Sequence, residues 1–399
     1  MPDQIHLAVA LSDAGWHPGA WREPNARPTE LLSGRYWNDL VAEAESAALD
    51  FVTIDDGLGL QRDNPFTPDS RTDRVRGRVD SVLIANRVAP TTRGLGLIPT
   101  GIVTHTEPFH TAKAIATLDY AARGGAGVQL RVDGSAADAR LFGRRTLPDL
   151  VPGDIDQVVV DALFAEAADY AEVLRRLWDS WEDDAEIRDA ATGRFIDREK
   201  LHYIDFEGEY FSVRGPSITP RSPQAQPPIA LLGHNSGSWD LIGRAGDIGF
   251  ITAHSASEAT EIVGEIDAAR RAAGRDGEPV RVFNDLVVIL GATDAEAAQR
   301  AERLDAHAGA ELFSDAEIFV GTAAGLADRI EEFVGADAEA DSGAVGVRLR
   351  PAALPDDLVS ITRELVPELR RRNRFRADYT ATSLRGHLGL TRPANRYAA

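Results

Sequence analysis

A chain of 399 residues with no cysteine has no disulfide, no thiolate metal site and no cysteine nucleophile. Its formal net charge of −20 sets it against nucleic-acid backbones and anionic membrane surfaces, which leaves small molecules and other proteins as partners. No basic segment precedes the brief apolar run near the N-terminus, and nowhere do ~18 apolar residues stand together, so the sequence reads as a soluble cytoplasmic protein with no membrane span.

The first predicted strand is IHLAVAL (5–11). It runs into the loop SDAGWHPGAWREPNARP (12–28), where Trp16, His17, Trp21 and Arg22 gather. Tryptophans are costly to leave in water, so these wall either a pocket or an oligomer contact. A helix over 37–48 follows, with Trp37, Leu40, Val41, Ala44 and Ala48 on one face. The second strand, FVTI (51–54), ends at Asp55-Asp56-Gly57. Neighbouring strand side chains point to opposite sides, so at most one of these carboxylates faces inward, as a ligand group or as an acid that bonds loop backbone. After a helix over 80–88, the third strand, GLGLI (94–98), feeds the polar loop PTGIVTHTEPFH (99–110), which holds Thr100, Thr104, His105, Glu107 and His110. The two histidines suit ligand binding or acid–base work. Their five-residue spacing is wrong for a helical metal pair, so no metal site is expected. His110 also opens the helix over 108–122, where it could instead satisfy local backbone.

The fourth strand, GVQLRV (127–132), places Gln129 and Arg131 on one face, and polar groups there need either a ligand or a buried network with Asp55 or Asp56. A long helix over 156–181 precedes a break in the alternation. Residues 182–228 are poor in large aliphatics, hold IDFEGEYFSV as a hairpin turning at Glu207-Gly208, and end in a proline-rich connection; they read as an excursion within one domain. The fifth strand, IALL (229–232), enters the turn GHNSGS (233–238) and a helix over 236–245. Such a turn either offers free N–H groups and a helix dipole to a phosphate or is only a turn. Strands IGFIT (248–252), VRVFNDLVVIL (280–290) and GAVGVRL (343–349) then alternate with helices over 256–273, 293–309, 322–334 and 356–372. Residues beyond Asn373 have no clear period and either lie across a neighbour or move freely. Eight strands with helices between them predict a closed (β/α)8 TIM barrel with its sites in the loops after the strands; an open doubly wound sheet is the alternative. There is no P-loop, no Gly-x-Gly-x-x-Gly after the first strand and no Gly-x-Ser-x-Gly elbow. By themselves the residues reach a barrel with a pocket.

GWHPGAWREPNARP, ALDFVTIDDGL, EPFHTAKAIATLDYAARGGAGVQ, YAEVLRRLWDSWEDDA, HYIDFEGEYFSVRGP and RAGDIGFITA fall in the order and spacing of the bacterial luciferase-like flavin monooxygenases over nearly the whole chain. The branch it most resembles is that of nitrilotriacetate and long-chain alkane monooxygenases. LWDSWEDDA with HYIDFEGEYFSVRGP is the most specific part, because it covers the excursion at 182–228. The resemblance implies one luciferase-like domain over 1–399 that binds FMN at the C-terminal ends of its barrel strands. It implies a separate NAD(P)H:flavin reductase supplying reduced FMN, whose reaction with O2 gives a C4a-peroxyflavin that oxygenates a small organic substrate in a dry, apolar mouth. It also implies a homodimer or homotetramer. Two alternatives stay open: an F420-dependent oxidoreductase of the same superfamily, and a barrel that has lost catalysis.

By the same resemblance, Asp56 stands at the family's acid after the second strand, Thr100 at a hydroxyl near the flavin ring, Phe109-His110 at a Tyr-His pair, and Gln129 at an Asn that bonds the ring. His110 and His105 become the candidate catalytic residues, and Trp16, His17, Trp21 and Phe109 the candidate substrate walls. Three stretches depart from the pattern. Trp-Asn-x-Val-Thr-Ser becomes VQLRVDGS, which brings in Arg131; an Arg-Tyr pair that helps hold the phosphate becomes Leu163-Phe164; and Gly-Ser-Ser becomes Gly233-His234-Asn235. The compensating phosphate set is then Arg131, Gly233, His234 and the N–H groups of Asn235 and Ser236.

Overall fold

Alternate side chains of the parallel strands divide between two apolar layers, one inside a barrel and one beneath its helices. A computed structural model describes residues 4–62, 70–149, 156–334 and 344–398. The strands are β1 (His6–Leu11), β2 (Phe51–Ile54), β3 (Gly96–Ile102) and β4 (Val128–Arg131), then β5 (Glu186–Asp189), β6 (Arg194–Ile196), β7 (Phe206–Glu207) and β8 (Ser212–Val213) in the excursion. They continue with β9 (Ile229–Leu232), β10 (Ile248–Ile251), β11 (Arg281–Leu290), β12 (Glu317–Gly321) and β13 (Gly346–Pro351). Residue 343, the first of the expected last strand, lies outside the described residues.

Parallel pairing runs β1-β2-β3-β4-β9-β10-β11-β13 and returns from β13 to β1, which closes an eight-stranded barrel and excludes the open sheet. The sequence did not announce β12. It arises because β11 is long: its first residues pair with β10 and Leu286–Leu290 pair with β12, which occupies the edge that β10 leaves above the barrel.

The helices between strands are α1 (Gly34–Ser46), α2 (Ser81–Val88), α3 (Pro108–Ala121), α4 (Ala136–Phe142), α5 (Gln157–Asp179), α6 (Ser236–Ala245), α7 (Ala256–Ala272), α8 (Asp294–Ala308) and α9 (Ala323–Val334). The first of these starts three residues before its apolar face because the Ser33 hydroxyl accepts from Tyr36 N–H and so sets the helix end. No described helix is long and apolar enough to cross a membrane.

Ala8, Phe51, Ile98, Ala230, Ile248, Phe250 and Phe283 fill the lower barrel interior, while Leu7, Val9 and Leu11 of the same first strand join the barrel–helix layer. The tail packs back on its own barrel. After α10 (Asp356–Ser360) and α11 (Val366–Arg371), the short helix α12 (Leu384–His387) brings Leu384, Leu388 and Leu390 under the barrel as its floor. Arg376 pairs there with buried Asp50, and Arg385 with buried Asp247.

The excursion holds two hairpins rather than one. In the expected hairpin, Phe206 faces Val213 and Gly208 N–H donates to Phe211 C=O at 2.9 Å, so the turn spans 208–211 with Glu209-Tyr210 at its tip, two residues later than its sequence suggests. The β5–β6 hairpin turns at Gly193, whose φ of 68° suits glycine. A buried Arg221–Asp179 pair ties the segment to α5.

Candidate active site

Inward-facing positions change from apolar to polar on climbing the barrel. In the register of β11 with β13, Phe283 faces Gly346, Asp285 faces Arg348, and Val287 faces Arg350. Arg348 donates from Nε to Asp285 Oδ1 at 2.7 Å and from Nη2 to Oδ2 at 2.5 Å, and from Nη1 to Gln129 Oε1 at 2.7 Å. Its guanidinium lies 3.6 Å above the Phe250 ring centroid. Arg350 also donates to Asp285 through Nε at 2.9 Å and through Nη2, and reaches Asp315 with Nη1 at 2.8 Å. Two guanidinia thus share a fully buried carboxylate. Burial works against the Arg350 charge, but Asp285 and Asp315 hold its pKa above the ordinary arginine value.

Above this layer opens a cavity of about 640 Å³, with Phe164, Val132, Leu232 and Leu241 as apolar walls and Gln129, Arg131, His234, Asn235 and Arg348 among its polar groups. Trp16 closes one side. Gly15, at φ 131°, brings the loop after β1 so close to Ala352 that an added Cβ would lie 2.2 Å from its carbonyl oxygen. That approach lets Trp16 N–H donate to Pro351 C=O at 2.9 Å. The Trp16 indole donates to Ala10 C=O at 2.7 Å and lies under Arg350, 4.9 Å from ring centroid to guanidinium carbon.

The carboxylates after β2 divide the two roles left open by the sequence. Asp55 lines the cavity and joins Arg78 at 2.8 Å and Arg131 at 3.3 Å. Asp56 turns away and accepts from Gly57 N–H at 2.7 Å and Ser81 N–H at 2.8 Å, at the start of α2. Burial raises its pKa against those two hydrogen bonds.

The turn from β9 into α6 spends most of its donors on itself. Ser238 Oγ accepts from His234 N–H at 2.9 Å and Asn235 N–H at 3.1 Å, while the Asn235 side chain accepts from Ser238 N–H at 3.1 Å. Asn235 N–H is therefore not the ligand donor its position suggests. The first-turn amides of Ser236 and Gly237 remain at the positive end of α6. His234 Nδ1 lies 3.2 Å from Asp315 Oδ2, which links the turn to Arg350.

The other candidates scatter. Thr100 donates its hydroxyl to Ile54 C=O at 2.9 Å between β2 and β3 and does not line the cavity. His17 is locked: Nδ1 accepts from Gly19 N–H at 3.0 Å and Nε2 sits 3.1 Å from Asp305. With Trp21 it lines a separate recess of about 150 Å³. Phe109 packs against the barrel–helix core, and His110 is exposed on the first turn of α3. His105 is buried and stacks on Phe142 at 5.2 Å between centroids. It borders a second cavity of about 270 Å³ under the β7–β8 hairpin, beside the Arg145–Glu166 pair. Burial lowers its pKa, outweighing nearby Asp133, so the ring is neutral at pH 7. Among the described residues no three histidine or carboxylate side chains gather as a metal set.

Sequence reasoning missed Asp285, Asp315, Arg348 and Arg350. The signal was available in GVRLRP, where period two puts both arginines on the face opposite Val347 and Leu349, and in FND, which puts Asp285 in step with Phe283.

Comparison with known proteins bears on this geometry. The profile of the luciferase-like monooxygenase family matches residues 16–348. N-acetyl-S-(2-succino)cysteine monooxygenase of Bacillus subtilis is 29% identical over 99% of this chain and 98% of its own length. Nitrilotriacetate monooxygenase component A of Aminobacter aminovorans is 26% identical, covering 99% of this chain and 98% of its own. Among solved structures, a riboflavin lyase with modified FMN and substrate riboflavin superposes with a TM-score of 0.82 at 24% identity, over 99% of this chain and 98% of the other.

Proposed function

The chain belongs to the luciferase-like monooxygenase family, and on that premise we propose that it is an FMN-dependent monooxygenase of the two-component type. It takes reduced FMN from a separate NAD(P)H-dependent reductase and uses it with O2 to oxygenate a small organic substrate at the barrel mouth. The observation that carries this reading is the cavity of about 640 Å³ between an apolar wall and the N-terminus of α6, of a size common for cofactor pockets. Support also comes from the relative named as component A of a monooxygenase and from the riboflavin lyase solved with modified FMN.

The residues present fit the group. Phe164, Val132, Leu232 and Leu241 suit the faces of an isoalloxazine ring, Gln129 offers its amide from below, and the N-terminal end of α6, which meets the cavity at Asn235 and Ser238 while Ser236 and Gly237 lie outside its lining, offers a phosphate the positive end of a helix. Arg131 and His234 line the same cavity, though both already face carboxylates, Asp55 and Asp315. Reduced FMN supplies the electrons that activate O2. The chain's own part is to hold the ring among walls that keep water out and to fix the substrate beside it. The neutral, buried imidazole of His105 is the acid–base candidate for a substrate reaching the second cavity. Exposed His110 is assigned no part. We place the reaction in the cytoplasm, carried out by a homodimer or homotetramer.

The test is thermal unfolding with FMN, anaerobically reduced FMN and F420, followed by O2 uptake with reduced FMN and candidate substrates. Stabilisation by reduced FMN and substrate-dependent oxygen consumption support the proposal. Stabilisation by F420 alone moves the chain to hydride transfer, and stabilisation by none of the three removes the enzyme reading.

A further inference from the structure

The polar layer under the cavity fixes more than charge. Gln129 on β4 and Arg348 on β13 lie far apart in the chain, yet Arg348 Nη1 donates to Gln129 Oε1 at 2.7 Å. A guanidinium carries donors and no acceptor, so the amide oxygen must face it. The Gln129 NH2 is then turned away from Arg348, and both residues line the cavity. The arginine cannot rotate to release the amide. Asp285 holds it at two points, 2.7 and 2.5 Å, Phe250 supports its face at 3.6 Å, and the Thr53 hydroxyl lies 3.4 Å from Nη1.

We propose that Arg348 is a positioning residue that locks Gln129 as a pure hydrogen-bond donor toward the cofactor ring, and so makes the site prefer reduced over oxidised flavin. The claim rests on the flavin reading above. Its chemistry is direct. Reduction adds electron density to the ring's carbonyl and pyrimidine acceptors, and the anionic reduced form carries negative charge there. A donor amide polarised by a guanidinium stabilises that charge more than it stabilises the neutral oxidised ring. Arg350, the second guanidinium on Asp285, adds to the same field. The residue thus acts mainly through Gln129, since four of its five N–H donors already go to Asp285, Gln129 and Thr53.

Two variants separate positioning from mere structure. In Gln129→Glu, a carboxylate keeps and strengthens the pairing with Arg348 but presents no N–H to the cavity. In Arg348→Met, the amide is freed to flip while Asp285 keeps Arg350. Affinities for oxidised FMN and for anaerobically reduced FMN are measured by fluorescence titration, with unfolding temperature and near-ultraviolet circular dichroism reporting the fold. The expected result is that wild type binds reduced FMN more tightly than oxidised, and that this ratio falls roughly tenfold in both variants, the loss of one charge-assisted hydrogen bond. Flavin-free Gln129→Glu should unfold at or above the wild-type temperature. Should Arg348→Met fail to fold, Gln129→Glu alone decides. If wild type binds flavin and the ratio is unchanged in folded Gln129→Glu, the positioning role is overturned while the flavin reading stands. If wild type binds neither form, both fall.

Discussion

Replacing Asp285 by Asn tests whether the buried charge layer is a working part of the barrel. Asp285 is fully buried and receives four donor contacts, two each from Arg348 and Arg350, whose side chains are 3% and 4% exposed. Asparagine keeps the shape, but one of its two terminal atoms becomes an NH2 that faces guanidinium donors. Arg350 retains Asp315, whereas Arg348 is left with no carboxylate. Removing one partner from a buried pair costs about 3–5 kcal/mol. Unfolding entropy for a chain of 399 residues is roughly 0.8 kcal/mol per kelvin near 60 °C, so the unfolding temperature should fall by about 4–6 °C. Differential scanning calorimetry of wild type and Asp285→Asn without flavin reads this directly. A drop of less than about 1 °C would mean that the two arginines are solvated or otherwise paired and that Asp285 carries no such load.

Leu388→Ala should destabilise by about 2–5 kcal/mol in urea unfolding, because Leu388 is fully buried in the floor that α12 makes under the barrel; a change within 0.5 kcal/mol, on the order of a surface substitution, would mean the tail is not part of the core. His17 gives a pH test. Burial, opposed by Asp305, lowers its pKa, so the unfolded chain binds the proton more readily than the folded one. The stability tied to neutral His17 is complete above the unfolded value of about 6.5 and is lost as pH falls from there through the lower folded value. Wild type should therefore lose more stability than His17→Asn between pH 7.5 and 5.5, and equal pH slopes would contradict the burial argument. Asn235→Ala should cost about 1 kcal/mol through the lost cap of α6, and a cost near zero would show that the turn is held by other contacts.

The barrel was legible because its strands are buried on both sides and read as apolar runs between turns, as FVTI and IALL do. What escaped were elements defined by their neighbours. EIFVG of β12 is half-exposed and exists as a strand only because β11 outruns β10. The tail lacks a helical period over its length because only Leu384, Leu388 and Leu390 need to be apolar to floor the barrel. At the site, period two correctly put Gln129 and Arg131 on one face and allowed only one of Asp55 and Asp56 to face inward. It could not say that Gln129 meets Arg348, because that contact joins strands 219 residues apart across the barrel. The histidines of the loop after β3 make the same point. His105 and His110 are equivalent as letters, but one is packed under Phe142 and the other sits on the outer face of α3.

In the proposed function, reduced flavin occupies the cavity above Gln129. Leu232 lines it and is only partly buried, so Leu232→Trp puts an indole into the cavity. Anaerobic titration of reduced FMN into wild type and Leu232→Trp, each checked for fold by circular dichroism, reads this occupancy. Saturable binding by wild type with at least a roughly tenfold weaker affinity in the variant is the predicted result, a difference of about 1.4 kcal/mol. No saturable binding by wild type, or equal binding by both proteins, would contradict it.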